Sequence, residues 1–69
     1  MNLANVVAED IADRAQLHFG VITRSEFAKR IAERYKDDPR SQAEAFQRAL
    51  AEGDLSVNDV RRSQGLIEL

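Results

Sequence analysis

The chain has 69 residues, of which 43% are hydrophobic and 32% are charged, a composition typical of a folded globular domain. This length predicts one domain over residues 1–69, and the absence of cysteine excludes disulfides and cysteine-ligated metals as supports for its thin core. The net charge of −2 disfavours a polyanionic partner for the chain as a whole.

The first predicted helix runs from about Asn2 to Phe19, with Asn2 as its N-cap. Its apolar residues recur at steps of three and four, so they share one face. That face comprises Ala4, Val7, Ala8, Ile11, Ala12, Ala15 and Phe19. We expect this face to point inward, and we interpret His18 at its edge as a structural histidine in the last helical turn.

The second helix is predicted to begin near Arg24. Thr23 is followed three residues later by Glu26, which is the spacing of a capping box. The helical pattern continues to about Asp37, and its apolar stripe comprises Phe27, Ala28, Ile31, Ala32 and Tyr35.

The third helix is predicted to begin at Pro39, because proline fits the first helical position and Asp38 before it is a favourable cap. It extends to Glu52, before Gly53, and its apolar residues are Ala43, Phe46, Ala49 and Leu50. These patterns predict an all-α fold, a compact bundle of three helices plus a short C-terminal fourth helix.

The fourth helix is predicted over residues 57–64. Ser56 and Asp59 have the spacing of a capping box, and Gly65 is a typical helix terminator. Over residues 55–66, the string Leu55-Ser56-Val57-Asn58-Asp59-Val60-Arg61, followed by Gly65-Leu66, resembles a segment near the end of the portal proteins of tailed phages. The first 54 residues match no part of that family. The resemblance therefore implies an origin in a phage or mobile element rather than a portal function.

No arrangement of residues predicts catalysis or metal binding. The sequence lacks a glycine-rich phosphate loop and the alternating oxygen ligands of a calcium loop, and no nucleophile can be paired with a base. The carboxylates of Glu9, Asp10 and Asp13 are interpreted as a solvated helix face. We predict that the protein is not an enzyme and needs no cofactor or metal.

A protein partner is the preferred functional hypothesis. On helix 1, Leu3, Val6 and Leu17 lie beside the main apolar stripe, and a helix that is apolar on more than its core face often contacts a second partner. The polar rim of this predicted partner-binding surface comprises Asp10, Asp13 and Arg14. We predict an adaptor, regulator or inhibitor that occludes or bridges another protein, alone or as a homodimer.

The alternative hypothesis is a helix-turn-helix-like regulator that binds DNA. Residues 24–40 contain six basic and four acidic residues, a positive balance. Such side chains contact phosphates and base edges. The candidate nucleic-acid-binding residues are Lys29, Arg30, Arg34, Arg40, Gln42 and Arg48.

The location is predicted to be the cytoplasm. The N-terminus has no basic segment followed by an apolar run, and no stretch of about eighteen apolar residues occurs. We therefore expect neither export nor membrane insertion.

Overall fold

A computed structural model describes the backbone of residues 3–69 and the side chains of residues 8–69. Its helices are α1 (Leu3–His18), α2 (Arg24–Arg34), α3 (Pro39–Ala51) and α4 (Val57–Ser63). No strand is present in the described part of the chain. The predicted all-α bundle with a short fourth helix is confirmed.

The starts of α2 and α3 lie where their caps predict. The Thr23 side chain accepts a hydrogen bond from the Glu26 amide at 3.1 Å, and Asp38 accepts one from the Ser41 amide at 3.1 Å. Helix α2 ends at Arg34, three residues before its predicted end. Residues 35–37 form turns instead, in which the Lys36 amide donates to the Glu33 carbonyl at 3.4 Å and the Asp38 amide to the Tyr35 carbonyl at 2.9 Å. The predicted cap Asn2 of α1 lies outside the described residues.

A reciprocal capping box starts α4. The Asp59 amide donates to the Ser56 hydroxyl at 3.2 Å, and the Ser56 amide donates to the Asp59 carboxylate at 2.8 Å. Helix α4 is followed by Gly65 with φ +74°, and the Leu66 amide closes the terminal turn on the Arg61 carbonyl at 2.8 Å. The short helix therefore has both ends fixed by its own sequence.

The apolar core lies around α2, which packs against the other three helices. Residues of α2, α3 and the segment before α4 meet there, and each is at most 5% exposed. They are Phe27, Ala28, Ile31, Tyr35, Ala45, Phe46, Ala49 and Leu55. The predicted apolar stripes of α2 and α3 supply six of these eight residues, but Ala43 of the predicted α3 stripe is exposed and Ala45, which was not predicted, is buried.

The predicted orientation of α1 is wrong. Ile11 is 65% exposed and Phe19 is 85% exposed, whereas Asp13 is only 6% exposed. Among the described side chains of α1, Leu17 packs against the apolar core. Helix α1 docks through its polar face because the adjoining surface of α2 presents arginine side chains, which can neutralise buried carboxylates but give no apolar contact. The side chains of Ala4 and Val7 lie outside the described residues.

Candidate interaction surfaces

A cluster of charges joins α1 to α2. Arg34 contacts three carboxylates of α1, with Nε 3.0 Å from Glu9 and the two terminal nitrogens against Asp10 and Asp13. Arg30 adds a second guanidinium at 2.8 Å from Asp13. We call these five residues the charged joint. Burial opposes the charge of Arg34, but its hydrogen bonds and attraction to Asp13 and Asp10 outweigh burial and raise its pKa.

Asp54 holds the C-terminal end of α1. It lies between α3 and α4, and its side chain is 5% exposed. Arg14 Nε and His18 Nε2 each lie 2.7 Å from one of its carboxylate oxygens. Arg14 also lies 3.1 Å from Glu52. Burial opposes ionisation of Asp54, but the hydrogen bonds from His18 and Arg14 outweigh it, so the pKa of Asp54 lies below its usual value of 3.8.

This pairing predicts a loss of stability in acid. The folded-state pKa of Asp54 is lowered, so its contribution is present above the ordinary pKa of 3.8 and is lost as the pH falls through the lowered value. Each unit of lowering corresponds to about 1.4 kcal/mol. We expect the urea concentration at the midpoint of unfolding, measured from pH 7 down to pH 2, to decrease once the pH is below about 4. The Asp54→Asn variant should be less stable at neutral pH and lose less on acidification, whereas an equal loss in both proteins would contradict this assignment.

An open groove of about 240 Å³ separates α1 from α3. Its floor is apolar and includes the buried residues Phe27, Ile31 and Ala49. The rim is charged, and two ion pairs cross from α1 to α3: Asp10 to Arg48 at 3.5 Å and Arg14 to Glu52 at 3.1 Å. Helix α1 therefore contacts α3 through ion pairs that span the groove above its apolar floor.

The tyrosine at the end of α2 belongs to the same polar system. The Tyr35 hydroxyl donates to Asp10, while its ring lies in the core. Burial and this hydrogen bond raise the pKa of Tyr35 to about 12. The hydroxyl therefore stays protonated as a donor that helps to hold α1 in place.

The face of α1 that points away from the bundle is apolar. It comprises Ala8, Ala12, Ala15 and Phe19, with Ile11 at its edge, where Ile11 also lines the groove between α1 and α3. All five are exposed, and we call them the outer face. Val21, two residues after Phe19, is also 70% exposed. No residue of the outer face carries a charge, so water contacts a continuous apolar strip along the helix.

The flank predicted to bind a partner lies instead toward the rest of the domain. Asp10 and Asp13 belong to the charged joint, Arg14 pairs with Asp54, and Leu17 contacts the core. These four residues therefore do not form the predicted solvent-facing surface with a polar rim. The side chains of Leu3 and Val6 lie outside the described residues. Contact between this flank and a partner stays a prediction.

The residues of the nucleic-acid hypothesis do not form one free basic surface. Arg30 and Arg34 are bound by α1 carboxylates, and Arg48 lies 3.5 Å from Asp10. The Gln42 side chain donates to the Ala32 carbonyl at 3.0 Å. Two more of the candidates are exposed, Lys29 and Arg40, and Arg40 is 3.8 Å from Glu44.

The arginines of the charged joint were misinterpreted at the level of sequence, although a signal was present. Arg30 and Arg34 are four residues apart and so share one face of α2, while Glu9, Asp10 and Asp13 share a face of α1. Complementary charge on two consecutive helices could have indicated a joint rather than a solvated face.

Neither a metal site nor a membrane span is found in the part of the chain that the structure describes. Within it, no group of three or more histidine, aspartate or glutamate side chains could hold a metal ion. None of the helices between residues 3 and 69 combines the length and apolar character needed to cross a membrane. No protein-family model, curated protein or solved structure matches the chain.

Proposed function

We propose that the protein is a non-enzymatic protein-binding module whose contact surface is the outer face of α1. The observation that supports this is the inversion of α1, which directs its carboxylates to α2 and its apolar side chains to water. Leaving Ile11 and Phe19 in water forgoes about 1.5–3 kcal/mol for each side chain. A partner that covers them would recover this free energy, so the module acts by occluding or bridging the protein that it contacts.

Protein binding is favoured over nucleic-acid binding by the distribution of charge. A phosphate backbone is bound by lysine and arginine side chains that are free to displace the counterions condensed on it. Here Arg34 already contacts three carboxylates, and Arg48 lies 3.5 Å from Asp10. Releasing Arg34 to DNA would break a buried ion pair, which costs about 3–5 kcal/mol.

The C-terminal segment supports a phage or mobile-element origin through its resemblance to portal proteins. Its residues have a structural use within this domain, because Ser56 and Asp59 cap α4 and Gly65 follows its end. Nothing in the proposal requires the chain to act as a portal.

The test is a pull-down with tagged protein from lysate of the native host, with and without nuclease. We expect one protein to be recovered stoichiometrically in both arms, and recovery to fall at least about tenfold in Ile11→Glu, because a carboxylate on the outer face would be buried unpaired. Val57→Glu is the matched control, since Val57 is also exposed, at 52%, but lies on α4.

Two results would contradict the proposal. Recovery that Ile11→Glu and Val57→Glu reduce equally would mean that the outer face is not the contact surface. Recovery of DNA-associated proteins only without nuclease treatment would favour the nucleic-acid hypothesis, and its salt dependence should then flatten in Arg40→Ala with Arg48→Ala.

A further inference from the structure

We infer that the occupant of the outer face is a second copy of this chain, with the two α1 helices packed antiparallel. This inference rests on the proposed function and names the partner of the same surface. It follows from the order of large and small side chains along α1, from the area that they expose and from the absence of charge among them.

The order of side chains makes the outer face complementary to itself only in the antiparallel direction. Ala8 stands at one end, Phe19 at the other, and Ala12 and Ala15 lie between. In an antiparallel pair centred between residues 13 and 14, Phe19 of each copy lies opposite Ala8 of the other. Ala12 then lies opposite Ala15, which lets the helix backbones approach closely. Phe19 thus meets a small side chain and the two alanines meet each other, as close packing requires, while Ile11 lies opposite Gln16 at the edge of the strip.

A parallel pair would fit poorly. Phe19 would meet Phe19, Ile11 would meet Ile11, and the alanines between them would face one another across a gap. The helix dipoles would also point the same way, whereas in an antiparallel pair each positive end lies near a negative end. Packing and electrostatics therefore favour the same direction.

The exposed area meets the requirement of a small dimer. Ile11, Phe19 and Val21 are 65%, 85% and 70% exposed, and three exposed alanines adjoin them. Such a set offers on the order of 500 Å² per copy, so a symmetric pair removes about 1,000 Å² from water, the lower end of specific interfaces. This size predicts a dissociation constant in the micromolar range rather than an obligate dimer.

The charges of α1 do not oppose this arrangement. Glu9, Asp10 and Asp13 contact Arg34, and Arg14 and His18 contact Asp54. Glu9 and His18 are exposed at the edges of the outer face, and none of these five residues belongs to it. An uncharged strip cannot select a charged surface, but it can select another apolar helix, because only an apolar partner covers it without leaving polar groups unpaired. The same strip on a second copy meets this condition.

The first experiment measures mass against concentration by sedimentation equilibrium, from about 1 µM to about 1 mM. We expect the weight-average mass to rise from 7.8 kDa toward twice that value for the wild-type chain. Ala15→Glu should remain monomeric throughout. Ala43→Glu is the matched control, because Ala43 is also an exposed helical alanine but lies on α3, and it should associate like the wild type.

The second experiment tests the direction of the helices by charge rescue. Ala12→Glu and Ala15→Lys should each abolish association alone, but a mixture of the two variants should form a heterodimer at least about tenfold more tightly than either self-associates, because the carboxylate then faces the ammonium. In a parallel pair these two positions never meet, so no rescue would occur.

Each result decides the inference. A wild-type chain that stays at 7.8 kDa at the highest concentration would overturn it, and so would association that Ala15→Glu and Ala43→Glu affect equally. Its failure is distinguishable from failure of the proposed function. A monomer that still loses a lysate partner in Ile11→Glu would retain protein binding without self-association, whereas a monomer without such a partner would contradict both.

Discussion

Replacing Arg34 with alanine should loosen the attachment of α1 to α2 and lower the free energy of unfolding by about 3–5 kcal/mol, because removing one partner of a buried ion pair leaves the other charges uncompensated. The Arg34 side chain is 13% exposed, and its guanidinium contacts Glu9, Asp10 and Asp13. Without it, three carboxylates of α1 face one another, with Arg30 as the remaining guanidinium of the joint.

The effect should be local before it is global. Amide hydrogen exchange should lose more protection along α1 than along α2 and α3, because the apolar core contains residues of α2, α3 and the segment before α4. The matched control is Arg40→Ala. The Arg40 side chain is 92% exposed and lies 3.8 Å from Glu44, so its loss should cost less than about 0.5 kcal/mol. Equal losses in the two variants would refute the charged joint as the attachment of α1.

A double-mutant cycle separates the pair from its surroundings. Asp13→Leu removes a carboxylate that is 6% exposed, and Arg34→Met removes its guanidinium partner but keeps much of the apolar stem. If the Asp13–Arg34 pair stabilises the fold, the double variant should lose less free energy of unfolding than the two single variants lose together, by about 0.5–3 kcal/mol. Additive losses would mean that Arg34 acts through Glu9 and Asp10 instead.

The parts of the fold that depend on local chemistry could be predicted from the sequence. The caps Thr23, Asp38 and Ser56 each accept the backbone amide that their spacing predicts. A cap involves residues three positions apart, so its partners are visible in the sequence. The same is true of the apolar spacing on α2 and α3, whose buried residues include Phe27 and Phe46.

The orientation of α1 could not be predicted by the same means. Periodicity identifies an apolar face but does not say which surface of the domain that face meets. On α1 that choice depends on Arg30 and Arg34, which are more than ten residues away in the sequence. The orientation of α1 also decides which residues are available to a partner. The apolar stripe expected in the core is the exposed outer face, and carboxylates of the flank expected to bind a partner lie in the charged joint.

Replacing Phe46 with alanine should leave little folded protein at 25 °C. Phe46 is 5% exposed within the core, and a buried Phe→Ala substitution costs about 3–5 kcal/mol. A domain of this size has a total stability of about 3–10 kcal/mol, so the loss consumes much or all of it. Circular dichroism should show reduced helicity, and thermal unfolding should lose its cooperative transition.

Phe19→Ala is the matched control, since it makes the same chemical change at a residue that is 85% exposed. In dilute solution, where the chain is monomeric, it should change stability by less than about 0.5 kcal/mol, because it creates no cavity. If a second copy covers the outer face, the wild-type melting temperature should rise with protein concentration, and this rise should disappear in Phe19→Ala while dilute stability is unchanged. A loss in Phe19→Ala as large as that in Phe46→Ala in dilute solution would mean instead that Phe19 is buried within its own chain. The inverted placement of α1 would then be incorrect, and both the charged joint and the outer face would have to be reassigned.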